Sequence, residues 1–160
     1  MTTRATVGLD NAELAAAKAE LDGGFCFLFA GPEPDSADEA LDMGALHTEV
    51  VKLSLGGDGV TGLVFDAPSG GVLAKPNAAN WSGLVAFSGA ESGETTLVPT
   101  FYRFCPAGDN GRGAATTPRL QGSVGGPNSS ANVRLSTNSV TANGSNTQAL
   151  AGFTYSHGDA

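Results

Sequence analysis

Gly23-Gly-Phe-Cys-Phe-Leu-Phe-Ala30 is the stretch where the rhythm of this chain changes. In an extended backbone Phe25, Phe27 and Phe29 fall on one face, with Cys26 and Leu28 on the other. Both faces are apolar, which predicts a strand at the centre of a sheet or at a subunit contact. Gly31-Pro-Glu-Pro34 ends it.

Upstream the period is helical. Asp10 is a candidate cap, with Glu13 three positions on in an aspartate version of the capping box. Residues 12–19 are rich in strong helix formers, and Gly23 and Gly24 supply the stop. The apolar stripe of this helix is thin: Val7, Leu14 and Leu21, with alanines between. Such a helix is expected to lie close against a sheet or a neighbouring subunit.

Downstream, residues 35–43 are acidic and Ala-rich, a loop or one helical turn. Residues 47–55 predict a strand, and Gly56-Gly-Asp-Gly59 a turn into a second strand over 60–65, making a hairpin. Further strands are expected at 71–74, 81–87, 95–104, 119–124, 131–135 and 149–155. Pro99 marks an edge or a bulge in the 95–104 segment, because it cannot donate to a ladder. Residues 108–117 form the longest loop. Residues 127–144 are rich in Ser, Asn and Thr, yet Val133, Leu135 and Val140 keep a strand rhythm. This spacing predicts a mainly β fold, an antiparallel sandwich of jelly-roll type or a barrel, with one short N-terminal helix. A single domain is expected over 1–160, with 1–22 an arm plus helix and 23–160 the β domain.

Composition agrees. The 160 residues include 23 Gly, and only 15% are charged, a mix that favours tight turns over long surface helices. The net charge of −8 argues against nucleic acid or an anionic membrane as partner, since both require clustered Lys and Arg. The acids crowd the first 66 residues, whereas Arg103, Arg112, Arg119 and Arg134 dominate the basic second half. This polarity suits docking onto a patterned surface. Met1-Thr-Thr-Arg leads into acidic residues rather than an apolar leader, and no apolar run has the ~18 residues of a membrane span. The expectation is a soluble protein made in a cytoplasm. Cys26 and Cys105 have no metal-ligand spacing; a disulfide between them is the minority expectation.

The chemistry-bearing residues are sparse. His47 and Glu49 share one face of a strand, and the simpler expectation is an exposed pair rather than an acid/base couple. His157 lies near the C-terminus. Asp58-Gly and Asp109-Asn-Gly111 supply one carboxylate each and predict turns, not calcium loops. No nucleophile elbow, phosphate loop or zinc motif occurs. No catalytic residue, metal site or cofactor is expected. The aromatic residues carry more. Tyr102 and Phe104 share one face of a strand, Phe101 and Arg103 the other, so one face is core and the other is able to reach a partner. Trp81 is either a core residue or a sugar-stacking platform.

In order along the chain come Leu9-Asp-Asn-Ala12 in the helix, Gly31-x-x-Pro34, Ser36-Ala-Asp-Glu-Ala40 and Phe101-Tyr-Arg-Phe104. Leu120-Gln-Gly-Ser-Val-Gly125, Thr141-Ala-Asn-Gly144 and Gly152-Phe-Thr-Tyr155 follow. In these features the chain resembles small β-rich virion structural proteins of tailed bacteriophages, departing from them at Ala131-Asn-Val133 and in a longer loop over 108–117. The resemblance implies a capsid decoration or cement protein on the virion exterior, synthesised in the host cytoplasm. Its implied partner is the major capsid protein, with self-association as a dimer or trimer, and with neither nucleic acid nor membrane. The residues expected to meet a partner are Leu14, Leu21, Phe25, Phe27, Trp81, Tyr102 and Arg103. The alternative is a tail- or fibre-associated module that binds a host glycan through Trp81 and Tyr102, or another tail protein. A small hydrolase ranks third and predicts a pocket with two carboxylates or a histidine.

Overall fold

The computed structural model describes residues 4–156. Its elements are α1 (Val7–Leu21), β1 (Phe25–Ala30), β2 (Thr48–Leu55), β3 (Val72–Ala74), β4 (Trp81–Gly89), β5 (Thr96–Leu97), β6 (Phe101–Cys105), β7 (Leu120–Gly125), β8 (Val133–Leu135), β9 (Val140–Thr141) and β10 (Thr147–Ser156). The fold is mainly β with one short helix. Of the two architectures expected, the strand pairing supports the barrel.

Seven strands close into a ring in the order β10-β4-β2-β1-β6-β7-β8, with β8 returning to β10. Every neighbour is antiparallel except β7 and β8, which run parallel. The exception follows from the strand number: strict alternation of direction cannot close a ring with an odd number of strands. β10 is long enough to meet three partners in turn, β4 at Thr147–Ala149, β8 at Leu150–Phe153 and β3 at Thr154–Ser156. β5 and β9 form a separate two-stranded pair.

β1 is central, between β2 and β6, as its two apolar faces predict. Cys26 and Leu28 point into the barrel, while Phe27 and Phe29 belong to a second cluster on the outside of the wall. The interior is packed with rings. Phe65 lies 4.8 Å from Phe104 and 5.3 Å from Trp81, centroid to centroid, and Tyr102 meets Phe153 at 5.2 Å. Stacked and edge-on pairs of this kind add to what their buried area contributes.

The helix packs on the chain's own barrel. Leu14 and Leu21 are buried in the interior cluster, but Val7 is 56% exposed and drops out of the expected stripe. The N-cap is Thr6 rather than Asp10: the Thr6 hydroxyl accepts from Leu9 N at 3.3 Å. Asp10 sits in the first turn, where its charge complements the helix dipole.

Two strand expectations are corrected. Residues 60–65 form no hairpin with β2, whose partners are β1 and β4. Asp58 accepts from Val60 N and Thr61 N, and a single bond from Leu55 N to Thr61 O at 3.0 Å closes the turn without extending into a ladder. Leu63 then makes a single bridge to Gly24, and Phe65 N donates to Asp22 Oδ1 at 2.9 Å. Leu63 and Phe65 are buried beside the aromatic cluster, whereas Val60 is 80% exposed. Burial of two large side chains at the barrel end outweighs a short exposed ladder. The expected strand over 95–104 is broken at buried Pro99 into β5 and β6, consistent with a residue that has no N–H to give.

Candidate functional site

The outer wall of β2, β1, β6 and β7 is where the sequence-predicted residues Phe25, Phe27 and Arg103 come together. Strand register builds it in rows. Lys52, Phe27, Arg103 and Gln121 are successive partners across the four strands, and Glu49, Phe29, Phe101 and Ser123 form the next row. Phe29 stacks on Phe101 at 5.2 Å, and Leu41 and Met43 pack over the phenylalanines. An apolar outer face must be covered, and two loops cover it, residues 31–47 and 106–118.

Three arginines fasten these loops. Arg103 is fully buried and forms no ion pair with a carboxylate among the described residues. Its Nε donates to Gln121 Oε1 at 2.9 Å, Nη1 to the carbonyls of Glu39 at 2.8 Å and Gly111 at 2.7 Å, and Nη2 to Ser36 O at 3.2 Å. Burial, and then the neighbouring Arg119 charge, lower its pKa from the ordinary guanidinium value. The planar fork of a guanidinium suits this cage of carbonyls; a lysine ammonium does not reach all of it. Arg119 grips Asp109 and also donates to the carbonyls of Ala37 and Gly113. Arg112 holds Glu49 at 2.8 Å. Gln121 Nε2 completes the set by donating to Pro34 O at 2.7 Å.

Ser36, Ala37 and Glu39 therefore turn their main-chain carbonyls inward to cations, while Glu33, Asp35 and Asp38 stay exposed. The two loops are tied to each other by Leu41 N to Arg112 O and by Ala115 N to Asp38 O. His47 clamps the far end of the first loop. Its Nδ1 accepts from Asp42 N at 2.9 Å, its Nε2 donates to Pro32 O at 2.8 Å, and its ring stands edge-on to Phe101. The expected exposed pair is thus a buried histidine and a glutamate committed to Arg112. The expected basic second half likewise has three of its arginines bound within the chain.

Two margins of this wall stay open. On the β2 side is a groove of about 360 Å³ with Phe25 and Phe27 in its lining and Glu49, Lys52, Asp109 and Arg112 around them. Lys52 Nζ lies 3.9 Å over the Phe25 ring, a cation–π contact. On the β7 side is a cleft of about 470 Å³ between Glu33, Pro34 and Asp35 and the strand segment 120–123, with Asn132 and Tyr155 opposite. Two carboxylates line this cleft, both at exposed residues, and no histidine among the described residues does.

Of the seven residues expected to meet a partner, Leu14, Leu21, Trp81 and Tyr102 are buried in the interior cluster, and Phe27 and Arg103 lie under the loops. Phe25 alone keeps substantial exposed surface, at the groove. Glu33, Asp35, Lys52, Gln121, Ser123 and Asn132 were not legible as site residues. They are brought in by register and loop docking, which the local sequence does not encode.

Cys26 and Cys105 are both free and buried. Phe25 pairs with Cys105 and Cys26 with Phe104, so the two thiols point to opposite faces of the wall. Burial, and then the Asp109 charge, push the Cys105 thiol up to about 12. Among the described residues, no three His, Cys, Asp or Glu side chains group as metal ligands. His157 lies outside the described residues. No helix is long and apolar enough to cross a membrane among the described residues. No family model matches the chain, and no curated protein or solved structure matches it.

Proposed function

We propose that this chain is a non-enzymatic virion structural protein that decorates and stabilises the capsid of a tailed bacteriophage by binding the major capsid protein on its outer surface. One observation supports a binding role above the others. The polar machinery of the outer wall is spent on pinning the chain's own loops, and what remains facing solvent is an acidic rim beside an open sheet margin. A rigid barrel with such a margin suits recognition of another protein. The shell as partner rests on the resemblance of the sequence to virion proteins. An acidic surface keeps such a protein off packaged DNA and off anionic membranes. Self-association as a dimer or trimer belongs to the same reading.

Binding the assembled shell and not its free subunits stabilises the shell by mass action. DNA-free shells of the encoding phage, prepared without this protein, provide the test. Added protein is expected to sediment with them and to raise their disruption temperature. Failure to sediment with shells overturns the proposal. Trp81 and Tyr102, the rings a glycan-stacking module would use, are both fully buried and offer no platform.

A further inference from the structure

The ring of strands has a weak seam. β7 and β8 pair only at Val124 with Val133 and at Gly125 with Arg134. Over Leu120–Ser123, β7 has β6 on one side and no strand on the other. Side chains stand in the gap instead. Asn132 Nδ2 donates to Thr154 O at 3.3 Å, and Asn132 Oδ1 lies 2.7 Å from where a Cβ on Gly122 would be. The cleft of about 470 Å³ opens along this stretch, within the size range of ligand sites.

The backbone alternation shows what β7 presents there. Val124 N donates to Thr100 O at 3.1 Å, so Val124 and Gly122 direct their main-chain groups toward β6. Gln121 therefore directs its N–H and carbonyl into the cleft, and Ser123 its N–H, the Ser123 carbonyl facing Val133 N where the parallel pairing with β8 begins. Natural sheet edges are commonly blunted by Lys, Pro or a bulge. Leu120-Gln-Gly-Ser-Val-Gly125 has neither Lys nor Pro, and its register with β6 is unbroken. The opposite rim carries Glu33 and Asp35, and neither takes part in an ion pair among the described residues. The one cation in the lining among the described residues, Arg119, is committed to Asp109.

We propose that this cleft receives an extended segment of the partner protein as an added strand on β7, with a Lys or Arg side chain set against Glu33 and Asp35. The proposal rests on the protein-binding reading above and names the chemistry of the contact. Main-chain hydrogen bonds to Gln121 and Ser123 supply the docking, and the acidic rim supplies the selectivity. Four residues of strand span ~13 Å, which matches the length of edge left open.

The test uses isotope-labelled protein titrated with the peptide Thr-Val-Lys-Val-Thr, or with Thr-Val-Glu-Val-Thr, each blocked at both ends. The lysine peptide is expected to shift the Gln121 and Ser123 amide resonances and slow their hydrogen exchange. It is expected to bind about tenfold more tightly than the glutamate peptide, the factor that ~1.4 kcal/mol gives. The double variant Glu33→Gln, Asp35→Asn, altered only at exposed positions, is expected to fold normally and lose that preference. No binding, equal binding of the two peptides, or shifts confined to other residues overturns the proposal. Shell binding without any peptide effect overturns the cleft and leaves decoration standing; the reverse pattern does the opposite. If these amides shift with protein concentration alone, and the double variant abolishes the shift, the occupant is a second copy and the separate partner is overturned.

Discussion

Arg119 and Asp109 meet through two parallel contacts, Nε to Oδ2 at 2.6 Å and Nη2 to Oδ1 at 2.8 Å. Both side chains are largely shielded. The pair fixes the 106–118 loop over the wall, while the same guanidinium holds Ala37 of the other loop.

This pairing gives the protein an acid limit. Hydrogen bonds from Arg119, above all, hold the Asp109 carboxyl at about 2, below its ordinary value near 3.8. A depressed carboxylate stabilises the fold fully above its unfolded value, and that stabilisation is lost as pH falls through the folded one. Stability is expected to drop between about pH 4 and pH 2. Asp109→Asn should remove that part of the slope and cost about 2 kcal/mol at neutral pH. Urea denaturation of both proteins at several pH values measures it, and identical slopes would count against the pair.

Arg103 predicts a different failure. Arg103→Lys retains the charge yet cannot serve Ser36, Glu39, Gly111 and Gln121 together. The expected result is a barrel that persists with its covering loops loosened, at a cost of roughly 2–3 kcal/mol for unsatisfied buried carbonyls. Limited proteolysis should then cut within residues 31–47 faster than in the parent, with the barrel fragments surviving. Unchanged cleavage would show that the cage is dispensable.

Glycine substitutions test strand packing. A Cβ on Gly83 in β4 would lie 2.0 Å from Lys52 O of β2, a backbone atom that cannot swing aside. Gly93 has nothing within 4 Å and no positive φ. Gly83→Ala should lower the melting temperature strongly, with a cost above ~2 kcal/mol, while Gly93→Ala should sit within ~0.5 kcal/mol of the parent. Calorimetry of the two decides it.

The thiols should be inert. With Cys105 pushed up to about 12 by burial, and Cys26 raised by burial as well, neither is a thiolate at neutral pH. A maleimide at pH 8 is expected to label the native protein far more slowly than the urea-unfolded chain, at both sites. The raised values also mean that the native state keeps protons which the unfolded chain releases above about pH 8.5, so stability falls as pH rises beyond that point. Rapid native labelling of Cys105 would show that the 106–118 loop does not seal the wall.

How much of this was legible in the sequence depends on how local each cause is. The two-faced strand Phe25–Ala30, the facing of Phe101 and Arg103 against Tyr102 and Phe104, and the helix itself all follow from periodicity within a few residues. The hairpin over 60–65 did not form because Leu63 and Phe65 are claimed by Gly24 and Asp22, about forty residues upstream. The outer face of β1 had two covers available in principle, another subunit or the chain itself. Only the docking of 31–47 distinguishes them, and that docking depends on arginines 64 and 82 residues away in sequence. The cleft was invisible for a related reason: it consists of a strand that is missing, and sequence patterns report strands that are present.

The closure of the ring through β10 also orders events in time. β10 pairs with β3, β4 and β8, and it comes last of the strands among the described residues. During synthesis β1, β2, β4, β6 and β7 can pair as an open, curled sheet, but the circle cannot shut until β10 has left the ribosome. Until then the rings of Trp81, Tyr102 and Phe104 lack Phe153, and an apolar interior is exposed to chaperones and to other nascent chains. Formation of this barrel is thus a late and non-local step. Its speed should be limited by the search of β10 for two neighbours at once.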